Sequence, residues 1–269
     1  MKLRSDPYQI FRHSQTPAGL YARKKWLGEQ YSSIYENDYQ RSVRLLLEGQ
    51  SHDGSWGNSF IKTIQQLFWL HLTVRDEIEP VRKAIDWLFE RSLTFYNHRI
   101  IPFEEKITSK ALAGLPFTKG SAVLLITSAT LFLASVFQRM DDPRVLTAYQ
   151  WLNKQGSKGS GRWCGWSSYN NILRAFVVNP HYAKSRTVEL AVKNLGRVQN
   201  KTGSWAKGIP FYQTVNALAH LESPEGDTQL AQAFKHLYDT QRQDGTWSRS
   251  QPEWNTFLVI HALKNKDVI

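Results

Sequence analysis

The apolar positions of the chain repeat one helical pattern five times. In each repeat they fall at i, i+3, i+4 and i+7, which places them on one face of an α-helix. The repeats begin at Val43, Val81, Val145, Val188 and Leu230. Each is followed by a short polar stretch and a second, more evenly apolar segment, at residues 60–73, 121–137, 169–178, 211–221 and 254–264. Because a helix that is apolar on most sides is buried, the pattern predicts five hairpins, each made of one outer and one inner helix.

Helix start signals agree with this pattern. Pro80 and Pro143 lie just inside two predicted outer helices, and Asp142, Ser185 and Asp227 are candidate N-caps. No stretch shows the turn-bounded alternation of polar and apolar residues that a sheet requires. The sequence therefore predicts an all-α fold.

The spacing of the repeats locates an insertion. Successive repeats start 38, 64, 43 and 42 residues apart, so the second interval holds an insertion at about residues 96–120, and insertions in repeat proteins form loops on one face. We expect a single domain over residues 1–269, with a helical extension at 1–37 and the repeats at 38–269.

Three connections between outer and inner helices are near copies of the motif Gln-x-x-x-Gly-x-Trp. They run from Gln50 to Trp56, from Gln199 to Trp205 and from Gln241 to Trp247, and a stretched copy runs from Gln155 to Trp163. The glutamine can satisfy free backbone groups at a helix end, the glycine permits the reversal, and the tryptophan packs between hairpins. We expect these residues to hold the repeats together rather than to act in catalysis.

The recurring motif resembles the QW motif of squalene-hopene and oxidosqualene cyclases, which the β-subunits of protein prenyltransferases share more loosely. The resemblance covers about residues 38–264. It implies an α/α toroid in which inner helices surround a central apolar cavity. Those families commonly use six hairpins, whereas this sequence shows five. Either the amphipathic segment 18–35 closes the ring, or the ring is incomplete.

The catalytic motifs of these families are missing from the sequence. Class II cyclases protonate an alkene with an Asp-x-Asp-Asp motif; here the only adjacent aspartates, Asp141 and Asp142, precede Pro143, where helix capping explains them. Prenyltransferase β-subunits hold zinc through an Asp-x-Cys pair and a distant histidine, but Arg162 stands two residues before Cys164. The aspartate-rich diphosphate motifs of class I synthases are also absent. No cofactor is predicted.

Amide and hydroxyl side chains follow the motif tryptophans at the starts of the inner helices. The pairs are Lys62-Thr63, Asn170-Asn171, Gln213-Thr214 and Asn255-Thr256. In a toroid they would meet at one mouth, where helix N-termini favour a phosphate or carboxylate, so we predict a ligand-binding collar. The alternative is that they only cap their helices. Phe68 and Trp69 are candidate aromatic contacts for an apolar ligand, with core packing as their alternative role.

Three histidines share a register near the ends of inner helices. His71 and His220 fall 15 residues after their motif tryptophans, and His261 falls 14 after its own. Together they could bind a metal, since imidazole is a common ligand. No acid or thiol accompanies them, so we favour the interpretation that each complements the negative end of its helix.

Charge and composition limit the class of protein and its partners. The chain has 34 Lys+Arg, 23 Asp+Glu and a net charge of +11, which favours anionic partners. The single Cys164 excludes a disulfide framework, and the start of the chain lacks the apolar block of a secretory signal, so we expect a cytoplasmic protein. The uncharged run of 19 residues between Lys119 and Arg139 is close to the length of a membrane span, but a buried helix explains it better.

These observations leave three hypotheses. The favoured one is a terpene-cyclase-like protein that binds an elongated apolar ligand, isoprenoid or lipid, with an anionic head at the collar. The second is an active isoprenoid cyclase or transferase whose acid is Glu104, Glu105 or Asp53, with the insertion acting as a lid. The third is a basic helical scaffold for nucleic acid or protein, with nucleic acid disfavoured. The N-terminal 25 residues carry a charge of +5 and also suit peripheral contact with a membrane.

Overall fold

The computed structural model describes residues 3–96, 99–100 and 105–269. Within these residues the chain forms eleven α-helices and one short antiparallel hairpin of β1 (Phe95–Tyr96) and β2 (Arg99–Ile100). The helices are α1 (Pro17–Lys25), α2 (Ser33–Leu47), α3 (Phe60–Thr73), α4 (Glu79–Ser92), α5 (Ala122–Val136), α6 (Pro143–Lys158), α7 (Trp166–Val177), α8 (Arg186–Gly196), α9 (Phe211–Leu218), α10 (Pro224–Thr240) and α11 (Pro252–Asn265). The prediction of an all-α fold is confirmed.

Alternate helices form an inner layer. In sequence order α1, α3, α5, α7, α9 and α11 each contact the next, and α11 contacts α1, so the contacts are cyclic. Helices α2, α4, α6, α8 and α10 pack outside them, each against one or two inner helices. All five predicted outer segments lie in this second group, and all five predicted inner segments lie in the first.

Helix α1 takes the sixth inner position, between α11 and α3. The predicted amphipathic segment 18–35 is not one helix, because α1 ends at Lys25 and Gly28 adopts a left-handed φ of 71° before α2 begins. Arg23 fixes the junction: it is buried and pairs with Glu29 at 2.8 Å and with Asp38 at 2.7 Å. This arginine is therefore unavailable to the membrane surface that the N-terminal charge suggested.

The repeated motif ties each repeat to the following one. The Gln50 side-chain amide donates to the Pro80 carbonyl of α4 at 2.8 Å, and the Gln199 amide donates to the Gln229 carbonyl of α10 at 2.9 Å. Gly203 has φ +87°, and a Cβ there would lie 2.2 Å from the Gln232 carbonyl oxygen. Only glycine fits so close to the neighbouring backbone. The stretched copy differs, because its Gln155 is exposed.

In the described chain no outer helix packs on the third motif, which instead holds residues 4–7; we call these residues the N-terminal strap. Gln241 donates from Nε2 to the Ser5 carbonyl at 3.1 Å and accepts from the Arg4 N–H at 2.8 Å. A Cβ on Gly245 would lie 2.1 Å from the Asp6 carbonyl oxygen. The strap thus makes the contacts that the next outer helix makes in the other repeats.

The start of α10 differs from the prediction. The N-cap of α10 is Ser223, whose hydroxyl accepts from the Gly226 N–H, so the prediction of Asp227 as the cap is wrong. Pro224 starts the helix there, which shifts the cap four residues toward the N-terminus.

The long uncharged run forms α5, which is buried among α3, α4, α6 and α7. In the part of the chain that the structure describes, none of the helices has the length and apolar character to cross a membrane.

Candidate functional site

The start of α3 is covered by the segment that precedes α5, residues 105–121, which we call the cover segment. Glu105 accepts hydrogen bonds from the Ser59 hydroxyl at 2.6 Å and from the Phe60 backbone N–H at 2.8 Å. Its carboxylate therefore caps α3, where helix N-termini favour negative charge. Of the two glutamates considered as acids, Glu104 lies outside the described residues and Glu105 is engaged in this cap.

The same segment binds the starts of α7 and α11. Thr118 and Asn171 exchange two hydrogen bonds, from the Thr118 N–H to Oδ1 and from Nδ2 to the Thr118 carbonyl, both at 2.8 Å. Trp254 Nε1 donates to the Leu115 carbonyl at 3.2 Å, and the Gly114 N–H donates to Gln251 at 3.0 Å. Three inner-helix starts thus meet beneath the cover segment.

Six of the eight predicted collar residues are buried, and some of them bind other parts of the protein. Thr63 accepts from the Trp56 N–H at 3.1 Å, and the Asn255 amide donates to the Ser250 carbonyl at 2.9 Å. Lys62 is exposed, whereas Asn170, Thr214 and Thr256 are buried and Gln213 is half-buried. None of the collar residues lies in the wall of the central cavity described below. Their role in ligand binding stays a prediction.

Asp53, the third candidate acid, lies on the surface in the first motif. Its carboxylate accepts from the Ser55 N–H at 3.0 Å, from the Ser55 hydroxyl at 2.8 Å and from Trp87 Nε1 at 3.1 Å. These hydrogen bonds, led by the Ser55 backbone N–H, lower the pKa of Asp53. A group stabilised as the carboxylate is poorly suited to protonate an alkene.

All six inner helices contribute to a central cavity of about 230 Å³. One part of its wall is aromatic: Phe68 lies 5.9 Å from Phe132 and 5.8 Å from Trp254, and Trp254 stacks on Phe257 at 5.3 Å between ring centroids. Pro116 of the cover segment completes the wall on that side. Of the two predicted aromatic ligand contacts, Phe68 lies in the cavity wall, whereas Trp69 lies in two surface grooves near α1.

The rest of the wall is more polar and holds a buried arginine. Arg174 is 2% exposed; its Nη1 donates to Asn216 Oδ1 at 2.6 Å and its Nη2 donates to the Gln213 carbonyl at 3.0 Å. Its Nε has no hydrogen-bond partner among the described residues. Burial lowers the pKa of Arg174 to about 9, so the guanidinium is protonated at neutral pH. No aspartate or glutamate lines this cavity in the described chain.

The three predicted histidines meet in the same polar part of the wall. The rings of His220 and His261 are 5.3 Å apart, and His71 contacts Phe68 and Phe132. Burial, reinforced by neighbouring positive charge, lowers the pKa of His71 to about 3 and of His261 to about 4. The same causes hold the pKa of His220 well below its usual value. The rings are thus neutral at pH 7, and they do not act as cations at the helix ends as we had favoured.

The three histidines are not arranged as ligands of one metal ion in this structure. Among the described residues, no three His, Cys, Asp or Glu side chains are placed to hold a metal ion together. Neutral imidazoles can instead donate or accept hydrogen bonds, as His261 does with Asn216 at 3.4 Å. The cluster therefore forms a polar, uncharged surface beside Arg174.

A second, larger pocket of about 620 Å³ adjoins the central cavity and shares Val178 and His220 with it. Its walls come from the connections that follow α7 and α9, with Pro180 and Leu221 among the apolar contacts. The N-caps of α8 and α10, Ser185 and Ser223, also line it. We call it the outer pocket; it offers an approach to the polar part of the central cavity.

Sequence analysis did not single out Arg174 or Asn216. A signal for the arginine was present, because it is the one charged residue in the predicted inner segment 169–178. A charged residue on a buried helix is rare unless it is paired. No comparable signal marked Asn216, whose role depends on α7 and α9 packing side by side.

Comparisons with known proteins support the fold. No protein-family model and no curated protein matches the sequence. Among solved structures, a protein from Actinoplanes is similar over 98% of this chain and 90% of its own, with 17% identity and a TM-score of 0.62. The type II terpene cyclase MstE from Scytonema, in complex with the substrate geranylgeranyl dihydroxybenzoate, is similar over 95% of this chain and 87% of its own, with 14% identity and a TM-score of 0.61. A complex of MstE with the product merosterolic acid A gives 14% identity and a TM-score of 0.58 over 93% of this chain and 86% of the other.

Proposed function

We propose that the protein binds an apolar ligand of isoprenoid type in the central cavity. The observation that carries this proposal is a cavity walled by Phe68, Phe132, Trp254 and Phe257 inside a terpene-cyclase-like fold. Concave, mostly apolar sites with a few converging polar groups are the usual form of small-molecule sites. The terpene cyclase with this fold binds a prenylated substrate, which supports the same class of ligand here.

The size of the cavity limits the ligand. Its volume of about 230 Å³ is below the roughly 300 to 1,000 Å³ of typical ligand pockets. A compact group of about ten carbons suits it better than the elongated molecule expected from the sequence. A longer ligand would have to extend past Val178 and His220 into the outer pocket.

Retained lipid tests this proposal directly. Native mass spectrometry and solvent extraction of the purified protein should reveal a bound apolar compound. Val178→Trp, at the junction of the two pockets, should reduce its occupancy several-fold, whereas Val198→Trp, a half-buried valine outside both pockets, should leave it unchanged. Absence of any retained compound, together with no binding of added geraniol, would contradict the proposal.

A catalytic role is the second candidate, favoured by the cyclase complexes with substrate and product. Protonation of an alkene needs a strong acid within reach of the reacting carbon. The described cavity wall offers arginine, asparagine and neutral histidine, and no carboxylic acid. We therefore expect no cyclised product from squalene, oxidosqualene or linear isoprenyl diphosphates when extracts are analysed by gas chromatography. A product that disappears in the double variant Glu104→Gln/Glu105→Gln would instead identify an acid on the insertion.

The scaffold hypothesis receives less support. It requires a groove lined by lysine and arginine, and the net charge of +11 is its main argument. The central cavity has an aromatic wall and two arginines, Arg75 and Arg174. A small molecule fits such a cavity, whereas a nucleic acid or a protein partner does not.

A further inference from the structure

Arg174 is a buried cation without a buried anion. Its side chain lies in the wall of the central cavity, 2% exposed, and no carboxylate lies within ion-pair distance of it among the described residues. Other buried or half-buried arginines in the structure do have such partners: Arg23 pairs with Asp38, and Arg139 pairs with Asp86. A buried charge is costly unless it is paired, so an unpaired one points to a partner outside the chain.

The guanidinium has donors to spare. Arginine carries five N–H donors, and the described hydrogen bonds, to Asn216 and to the Gln213 carbonyl, use two of them. The Nε–H is among those without a partner. Both partners come from α9 and hold the guanidinium in place. The remaining donors match the two oxygens of a carboxylate or phosphate, which arginine binds in a bidentate way.

The surroundings select among anions by charge. His71, His220 and His261 line the same cavity as neutral rings, and the other arginine in the wall, Arg75, is exposed. One buried positive charge therefore dominates the polar part of the cavity. It neutralises a single negative charge, whereas a diphosphate would bring two or more further charges without partners.

We propose that the ligand of the central cavity is an apolar carboxylic acid whose carboxylate binds Arg174. This assignment rests on the proposed function, because it specifies the polar group of the same ligand. The hydrocarbon part lies against Phe68, Phe132 and Phe257, and His220 or His261 donates a further hydrogen bond to the carboxylate. The anionic group thus binds at the C-terminal ends of the inner helices, and not at the collar that the sequence suggested.

Three compounds that share the same hydrocarbon chain and differ in the head group test the assignment. Isothermal titration calorimetry with geranic acid, geraniol and geranyl diphosphate measures the contribution of the head group alone. We expect geranic acid to bind at least tenfold more tightly than geraniol, as a charge-assisted hydrogen bond in a buried site predicts. Geranyl diphosphate should bind more weakly than geranic acid.

Variants locate the effect. Arg174→Met should remove the preference for geranic acid while geraniol still binds, which also shows that the variant is folded. Arg249→Gln removes an exposed arginine outside the cavity and should keep the preference. An equal loss in both variants would show that only long-range charge matters, and would overturn the assignment.

The remaining outcomes separate this inference from the proposed function. Equal affinity for geranic acid and geraniol in the wild-type protein would overturn the carboxylate assignment and leave the apolar site standing. Tightest binding of geranyl diphosphate would overturn the choice of a monoanion. No binding of any of the three compounds would contradict the proposed function itself.

Discussion

At the N-terminal ends of the inner helices the polar side chains bind the cover segment, whereas at the C-terminal ends they face the central cavity. Asn171 and Glu105 both have hydrogen-bond partners in the protein, at Thr118 and at the start of α3. Buried side-chain atoms without a hydrogen-bond partner occur at both ends: Asn170 Nδ2 and Thr256 Oγ1 near the helix starts, and Arg174 Nε and His71 Nδ1 farther along their helices. Of these four residues only Arg174 and His71 line the central cavity, and Arg174 carries a charge, so the C-terminal end is the stronger candidate for binding.

This contrast teaches that polar residue types alone do not locate a site. The collar pairs have the composition of an anion site, yet Thr63, Asn171 and Asn255 bind the protein's own backbone. Arg174, which faces the central cavity, lies on a segment that looks apolar in sequence. We expect substitutions at the N-terminal end to lower stability and substitutions at the C-terminal end to change binding or pH dependence.

The largest stability effect should come from the motif tryptophans. Trp247 is 4% exposed and donates from Nε1 to the Leu237 carbonyl at 2.7 Å. Trp247→Ala should lower the free energy of unfolding by about 3 to 5 kcal/mol, measured by urea denaturation. Tyr31→Ala, at an aromatic residue that is 92% exposed, should change it by less than about 0.5 kcal/mol. A Trp247→Ala protein of wild-type stability would contradict the structural role.

The close approach at the motif glycine should give the next largest effect. Gly203 and Gly208 have similar left-handed φ values of +87° and +95°, but an added Cβ clashes only at Gly203 and meets open space at Gly208. Gly208→Ala should lose about 1 to 2 kcal/mol from backbone strain alone. Gly203→Ala should lose about 1 to 3 kcal/mol more, from the contact with Gln232 in α10. Equal losses in thermal or urea unfolding would show that the repeats are not held at this point.

At the other end of the ring, the histidines should make stability depend on pH. Their folded pKa values, about 3 for His71 and about 4 for His261, lie below the ordinary value of 6.5. The unfolded chain therefore binds more protons as pH falls below 6.5, and the free energy of unfolding decreases until the folded pKa is reached. Above pH 6.5 these histidines are mostly neutral in both states, so they no longer make the free energy of unfolding depend on pH.

The expected slope is up to about 1.4 kcal/mol per pH unit for each histidine between pH 6.5 and 4. The Arg75 and Arg174 charges act in the same direction, because they also disfavour a protonated ring. His261→Gln should reduce the slope measured by urea denaturation across this range. His52→Gln, at an exposed histidine, should not. Identical slopes in all three proteins would show that the cavity histidines are hydrated and titrate normally.

The smallest effect should come from the cap on α3. Glu105→Gln removes a charge that accepts from the Ser59 hydroxyl and the Phe60 N–H, and should lower the free energy of unfolding by about 0.5 to 1 kcal/mol. Glu222→Gln, at an exposed ion pair with Lys184, should have a smaller effect. Geraniol should bind the Glu105→Gln protein as it binds the wild type. A change in that affinity would place Glu105 in the binding site. It would then contradict the assignment of a structural role to the N-terminal ends of the inner helices.

The two helix layers could be predicted because the spacing of apolar residues within each segment indicates its layer. Val81 to Leu88 and Phe60 to Thr73 differ in how their apolar positions are distributed, and this difference alone assigned them to outer and inner layers. The position of residues 105–121 could not be predicted, because that segment has no periodicity and is placed by contacts with three separate helices. Without the position of this segment, sequence analysis could not show whether the collar residues are covered or face an open mouth of the cavity.

The site was harder to predict for a related reason. Arg174 was visible as a charge in an apolar segment, but its lack of an acidic partner is a property of the whole cavity. His71, His220 and His261 share a register in the sequence, and they line one cavity in the structure. Their charge state could not be inferred from spacing, because it depends on how far they are removed from water.

The N-terminal strap sets an order on folding. The hydrogen bonds of the Gln241 side chain with Arg4 and Ser5 join positions 237 and 236 residues apart, so they close the longest loops that hydrogen bonds of the motif residues form in the described chain. Contacts between such distant positions form late, since the intervening chain must first be brought to a compact length. During synthesis the strap is made before the last repeat, so its contacts with Gln241 can form only after that repeat has been made. The final step of folding should therefore be a circular closure, and destabilising the Gln241 contact should speed unfolding more than it slows refolding.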